Sequence, residues 1–344
     1  MNLKQIAEAA NVSASTVSLV LNGKPGVSQQ TRAAVTELLR QSNYNVQQQQ
    51  ISAGANNIRF VKFINHAKLV DGNPGFITTI MDSIEFECRK EGYGLIVTST
   101  DKSSFPKTLD MLAAENPHGV LLLGTEMDQS DFSALSRLRC PVIIVDNPAD
   151  GLPLSSITMD NRSAIYASVR HLYELGHRHI GFLKNELPAS NCLNRERAFL
   201  DATSDLGLAR ADAPLFPVSP TTIGAWRSVQ ELLARGIRFP SALIANNDCI
   251  ALGAIKAFKE SGYQIPGDIS IIGFDGIQFS DISDPPLTTT VVPCRDIGTQ
   301  AVKMLCHFID DPSAPPYKVF VTTKLILRAS TAPAAGRPVS DAAE

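Results

Sequence analysis

From Ile58 onward the chain alternates between short apolar runs and longer helix-length stretches, and this rhythm constrains the fold more than any other feature. The runs IRFVKFI (58–64), YGLIVTS (93–99), GVLLLG (119–124) and PVIIVD (141–146) form a first series. A second follows with HIGFL (179–183), an apolar piece near 214–218, SALIAN (241–246) and DISIIGFD (268–275). Strands separated by helices imply parallel sheets covered on both faces, because a parallel connection needs a crossover long enough to hold a helix. The two series echo each other. PVIIVD and ISIIGFD are both apolar strands ending in Asp, at Asp146 and Asp275. Open parallel sheets bind ligands beyond the carboxyl ends of their strands. Two such halves therefore predict two doubly wound subdomains facing each other across a cleft. PPLTTTVV (285–292) and YKVFVTTKLILR (317–328) read as strands returning to the sheets.

Residues 1–44 follow a different pattern, that of three short helices. Asn2 and Gln5 are placed as a capping box, and Ile6, Ala7 and Ala10 form the first apolar stripe. Ser13 caps the second helix, whose inward face is Val17, Val20 and Leu21 and which ends at Asn22-Gly23. Ser28 caps a third carrying Val35, Leu38 and Leu39. Two helices joined by a tight turn, with a third in support, form a helix-turn-helix pattern. Four basic groups (Lys4, Lys24, Arg32, Arg40) against two acidic ones (Glu8, Glu37) give residues 1–50 a charge of +2. With −3 for the whole chain, the remainder carries −5. This mild asymmetry fits a nucleic-acid-facing head on an acidic body. Residues 45–57 are polar and Gln-rich, as a linker would be.

At 344 residues the chain is long enough for two or three domains, and 44% hydrophobic with 19% charged residues is a globular balance. Apolar runs fall short of a membrane span, and the N-terminus lacks the core of a signal peptide, so a cytoplasmic protein is expected. The six cysteines are scattered without a C-x-x-C pair, which argues against a zinc module or a disulfide scaffold. His171, His177 and His179 lack ligand partners at metal spacing, and neither metal nor cofactor is expected. G-x-G-x-x-G, P-loop and G-x-S-x-G motifs are absent, so an enzyme is disfavoured. A plain solute-binding protein is opposed by the head and the missing signal peptide.

IAEAANVS, STVSLVLNG, VSQQTR and Tyr44 in the head match a known pattern, as do NPGF (73–76), TMDNR (158–162), LYELGHRHIGFL (172–183), RERAF (195–199), NNDCIALGA (246–254), IPGDISIIGFD (265–275), PPLTTT (285–290) and RASTAP (328–333) in the body. In this order and spacing, over nearly the whole length, the chain resembles the LacI/GalR family of bacterial transcription regulators. The resemblance implies a small all-α helix-turn-helix head plus an α/β periplasmic-binding-protein-like core of two doubly wound parallel-sheet subdomains. It further implies a homodimer that reads double-stranded operator DNA, as a repressor, and responds to a small sugar-like effector bound between the subdomains. The expected divisions are 1–44 for the head, 45–57 for the hinge, 58–158 with 289–318 for the first subdomain, 159–288 with 319–331 for the second, and 332–344 for a disordered tail.

A recognition helix reads bases with outward side chains near its N-terminus. Here those are Ala14, Ser15, Thr16, Ser18 and Leu19, with Asn22, Lys24, Ser28, Thr31 and Arg32 as phosphate-positioning groups. The family usually has Arg where this chain has Leu19, so a bidentate guanine contact is replaced by an apolar one. In the family a hinge-helix Leu wedges into the minor groove. That position falls on Ala53 here, with Ile51 the nearest large apolar side chain, and a shifted wedge and no wedge both remain open.

The effector residues carried over by the resemblance are Asp146, Asp160, Asn191, Arg195, Asn247, Asp248 and Asp275, with Phe76 as an apolar wall. Carboxylates, amides and an Arg fork match the paired donors and acceptors of a sugar. Asp160 is placed to hold Arg195, a helix cap being its alternative. Asp248 stands at a helix start, where capping is again the alternative. The family's ligand-stacking position falls on Pro220, so a major aromatic face is missing. The single Trp, Trp226, reads as core rather than as a stacking platform.

Overall fold

The computed structural model describes residues 7, 9–10, 12–13, 16–17, 20, 27–41, 56–66, 68–69 and 73–334. The chain divides into two compact units, residues 1–55 and 56–344.

In the first unit, α1 (Gln29–Gln41) is preceded by helical positions at 7, 9, 16, 17 and 20. Ala7, Val17, Val20 and Val35 make a small buried core, against which Ala10, Val12, Val27 and Leu38 pack. The Ser13 hydroxyl accepts from the Thr16 amide at 3.1 Å, and the Ser28 hydroxyl accepts from the Thr31 amide at 3.1 Å. Both serines satisfy amides that the first turn of a helix leaves without partners.

The second unit holds two six-stranded sheets. The first is built from β1 (Asn57–Ile64), β2 (Gly94–Asp101), β3 (Gly119–Leu123), β4 (Val142–Val145), β5 (Ser155–Met159) and β11 (Lys318–Val321), in the order β11-β5-β4-β3-β1-β2 and parallel throughout. The second comprises β6 (Ile180–Asn185), β7 (Leu215–Val218), β8 (Ala242–Ala245), β9 (Ser270–Asp275), β10 (Thr288–Val291) and β12 (Lys324–Ile326). Its order is β12-β10-β9-β8-β6-β7, antiparallel only at the β10–β12 edge. The central strands β3, β8 and β9 are buried at every position and β4 at all but its first, as strands covered on both faces must be.

The covering helices are α2 (Pro74–Lys90), α3 (Phe105–Glu115), α4 (Asn161–Glu174), α5 (Ser190–Asp205), α6 (Thr222–Ala234), α7 (Asp248–Glu260) and α8 (Cys294–Asp310). Helices α2 and α8 pack on each other and on the first sheet, and their apolar faces include Ile80, Ile84, Val302 and Leu305. Helices α6 and α7 pair on the second sheet over Val229, Ile250 and Ala254. Among the described residues no helix is long and apolar enough to cross a membrane.

Three differences from the expected layout stand out. Strand β5 falls in SSITM, which has no apolar run, because its buried positions are largely hydroxyls with partners. Ser156 donates to the Pro148 carbonyl at 3.0 Å and Thr158 donates to Asn191 at 3.1 Å. The boundaries also move. Strand β10 pairs with β9, so residues 289–291 belong to the second sheet, and β11 pairs with β5, so residues 319–321 belong to the first. The chain thus changes sheet after 159, 291 and 321. Finally, residues 332–334 are tied to the second subdomain rather than free. Ala332 N–H donates to the Ser270 hydroxyl at 3.0 Å, and Ala334 N–H donates to the Leu175 carbonyl at 2.9 Å. The remainder of the expected tail lies outside the described residues.

Candidate functional site

The carboxyl ends of both sheets open on the same cleft. A cavity of about 50 Å³ lies there, lined by Leu69, Asn73, Phe76, Ile77, Thr125 and Asp146 from the first subdomain. Ala189, Asn191, Cys192, Arg195, Asn246, Asn247 and Asp275 line it from the second. A neighbouring chamber of about 460 Å³ shares Phe76 and Asp275 and is bounded by the first residues of α2 and α8. A larger cavity of about 600 Å³ lies on the first subdomain, away from both Asp146 and Asp275, and its lining is mostly apolar.

Asp146 and Asp275 each end a parallel strand in a backbone conformation that L-residues rarely adopt, with φ of 60° and 111°. Strain of this kind concentrates at functional sites. Asp275 is followed by Gly276 at φ 72°, where an added Cβ would sit 2.9 Å from the Val291 Cα. Asp146 accepts from Thr125 at 2.6 Å and from Asn191 at 2.8 Å. Asp275 accepts from Asn73 at 2.8 Å, and its other oxygen lies 3.7 Å from Arg195 Nη2. Asn73 and Asp146 belong to one subdomain and Asp275 and Asn191 to the other, so these bonds span the cleft.

Burial pushes the Asp146 carboxyl up to about 6, against the opposing pull of Thr125, Arg195 and Asn191. Burial pushes Asp275 up to about 8. Arg195 opposes this, and the carboxylates of Asp248 and Asp146 reinforce it.

Arg195 is buried on α5 and is held by the protein. Its Nε donates to Asn161 at 2.8 Å, its Nη1 to the Asn246 carbonyl at 2.7 Å, and the guanidinium lies 3.6 Å from the centre of the Phe274 ring. Asn191 has no spare capacity. Its amide nitrogen donates to the Asp146 carboxylate and carbonyl, and its oxygen accepts from Thr158 and Asn161 at 3.1 and 2.9 Å. Asn246 is buried, and its side-chain oxygen has no hydrogen-bond partner.

Asp146, Asn191, Arg195, Asn247, Asp275 and Phe76 are thus brought together around one cavity. Asp160 and Asp248 are not. Asp160 caps α4 by accepting from Ser163 N–H at 3.0 Å, and Asn161, one residue on, holds Arg195 instead. Cap geometry turns the first side chain back onto its own helix and points the next one at the cleft. Asp248 is fully buried behind the site. It accepts from Gly276 N–H, Ile277 N–H, Ser280 Oγ and Thr289 Oγ1, and so fixes the segment that follows Asp275. The α7 cap is Asn247, which accepts from Ile250 N–H at 2.8 Å. Trp226 packs against the second subdomain's apolar cluster and donates to Glu260 at 2.6 Å, away from the cavity.

The hydrogen-bonding side chains of Asn73, Thr125, Asn161 and Asn246 were not anticipated, nor were Leu69, Ile77, Ala189 and Cys192 in the cavity lining. Thr125 and Asn246 follow β3 and β8 closely, so applying the strand-end rule to every strand rather than to the two ending in Asp would have found them. Behind Thr125, Glu126 accepts from the amides of Asn65, His66 and Leu69, and so fixes the segment that brings Leu69 to the cavity.

In the head, Ala14, Ser15, Ser18, Leu19, Asn22, Lys24 and the hinge residue Ile51 lie outside the described residues. Thr16 and Thr31 share their hydroxyls with the caps Ser13 and Ser28, each at 2.8 Å, and Arg32 lies in the first turn of α1.

The family model for bacterial regulatory proteins of the lacI family matches residues 2–47, and that for a periplasmic binding protein-like domain matches residues 169–331. The HTH-type transcriptional repressor PurR of Aliivibrio salmonicida is 31% identical over 312 residues, covering 90% of this chain and 92% of that protein. The ribose operon repressor of Haemophilus influenzae is 30% identical over 331 residues, covering 95% and 98%. Among solved structures, the lac repressor dimer bound to operator and the anti-inducer ONPF aligns over 96% of this chain and 99% of its own, with a TM-score of 0.73 and 25% identity. The chain belongs to the lacI family of bacterial regulatory proteins.

Proposed function

We propose that this regulator binds operator DNA as a homodimer, through the helix-turn-helix head, and represses transcription under the control of a small hydroxyl-bearing effector held between Asp146 on one side and Asn191, Arg195 and Asp275 on the other. The two relatives named above are repressors by name, and the lac repressor structure pairs a dimer with operator and a small ligand.

One observation carries the reading. The two subdomains meet through direct polar bonds at the strand ends, Asn191 to Asp146 and Asn73 to Asp275, around a cavity too small for a sugar. A ligand entering there must replace some of these bonds. Occupancy is thereby linked to the angle between the subdomains. A coupling of about 1–3 kcal/mol is enough for useful switching. Phe86 on α2 and Val97 on β2 in the first subdomain, and Ile223 and Ile282 in the second, are exposed apolar side chains of the kind a second copy covers.

The test is capture of genomic fragments by the purified protein, followed by gel-shift with and without a metabolite panel. Retention of a discrete set of fragments, altered by one metabolite class, is the expected result. No specific retardation under any condition overturns the reading.

A further inference from the structure

The carboxyls of the cavity outnumber its cation, and one of its buried acceptors has no donor. The side-chain oxygen of Asn246, a residue 1% exposed, has no partner. Two carboxylates, Asp146 and Asp275, line the cavity with one cation, Arg195. Arg195 directs its Nε to Asn161 and its Nη1 to the Asn246 carbonyl, while its Nη2 stops 3.7 Å from Asp275, beyond a hydrogen bond. The donors of Asn191 and Thr125 are committed to Asp146, and that of Asn73 to Asp275. Behind the cavity Asp248 adds another buried carboxylate, whose four partners are neutral donors. An anionic ligand would bring a further negative charge into a buried site whose carboxyls already outnumber its cation. A neutral hydroxyl would satisfy Asn246 and leave Asp275 holding a proton. An ammonium group supplies three donors and the missing positive charge together.

We infer that the effector carries a protonated amine beside its hydroxyls, and that Asp275 and the side-chain oxygen of Asn246 receive it. The inference rests on the cleft being the effector site. Binding then draws the proton from Asp275, which burial holds at about 8 in the empty cleft. The groups facing Asp275 are Arg195 and Cys192 on α5, Asp248 and Cys249 on α7, Cys294 on α8, and Asp146. The three thiols are pushed upward by burial and stay neutral near pH 7. Asp146 and Asp248 are held at about 6. Between pH 6.5 and 7.2 the group that changes most on amine binding is therefore Asp275.

The experiment is calorimetric titration of the full chain with three amino sugars (glucosamine, galactosamine and mannosamine), their neutral parent hexoses, and glucose 6-phosphate. Hydrogen exchange locates any binding. At least one amino sugar is expected to bind roughly tenfold or more tighter than its own parent. Its affinity should rise between pH 6.5 and 7.2 while the parent's stays level, and Asp275→Asn should abolish both the preference and the slope. A parent hexose or the phosphate that binds as tightly, with exchange protection at 189–195 and 275–278, overturns the amine and leaves the cleft as the effector site. Binding by none of the probes also overturns the amine. Protection confined to other segments overturns the cleft reading itself.

Discussion

Asp275 shows how much a single carboxyl can carry. Its ordinary value of 3.8 is pushed up to about 8 by burial, so below pH 4 the folded and unfolded chains both hold the proton. Above that only the folded chain keeps it, and stability drains away as the pH climbs, the loss being complete above 8. Asp146 and Asp248, held at about 6, finish their share of this decline earlier. Asp275→Asn keeps the shape and removes the proton. Its urea midpoint is expected to stay level between pH 7 and 8, where the parent protein's falls. A parallel fall in both proteins would contradict the assignment. At this scale the sequence was legible where a residue's place depends on its strand. Asp146 and Asp275 were found because each ends an apolar run, and Arg195 only through the resemblance that its RERAF motif carries. Asp160 and Asn161 could not be told apart, since adjacent side chains at a helix start point in different directions and residue type does not say which one caps.

Among elements, most strands announced themselves as apolar runs, and β5 did not. A strand whose buried positions carry Ser and Thr looks polar until its partners are known, and those partners, the Pro148 carbonyl and Asn191, come from elsewhere in the chain. The α6–α7 pair was legible as two helices, but not in how closely they approach. At Gly253 an added Cβ would stand 2.3 Å from the Thr222 carbonyl oxygen and 2.8 Å from the Trp226 nitrogen. These are backbone atoms and cannot swing aside. Gly253→Ala is therefore expected to destabilise the second subdomain by about 1–3 kcal/mol, the usual range for overpacking, despite Ala's better helix propensity. Thermal or chemical denaturation measures it, and an unchanged midpoint would mean the helices can separate at little cost.

For the whole molecule, the alternation of strands and helices was enough to read two facing subdomains, and the places where the chain passes between them were misjudged by a few residues. Pairing decides those places, and a three- or four-residue strand such as β12 leaves little periodicity to read. The proposed homodimer belongs to this scale too. Phe86 is 59% exposed and Ile282 76% exposed. Charged replacements, Phe86→Glu with Ile282→Glu, are expected to turn a homodimer into monomers in sedimentation experiments at micromolar concentration while the circular dichroism spectrum stays unchanged. A variant that remains dimeric would move the interface elsewhere.

The late returns of the chain have a consequence for synthesis on the ribosome. Helix α8, which covers the first sheet, and the edge strands β11 and β12, one for each sheet, all lie beyond residue 293. A nascent chain emerging N-terminus first offers a complete head while both subdomains still lack an edge; the first sheet cannot close until residue 321 has cleared the exit tunnel, and the second until residue 326 has. A premature stop before that point removes a strand from the second sheet, and one before residue 318 removes a strand from both. Truncated products of this gene would therefore carry an intact head on a body whose unfinished sheet edges invite aggregation.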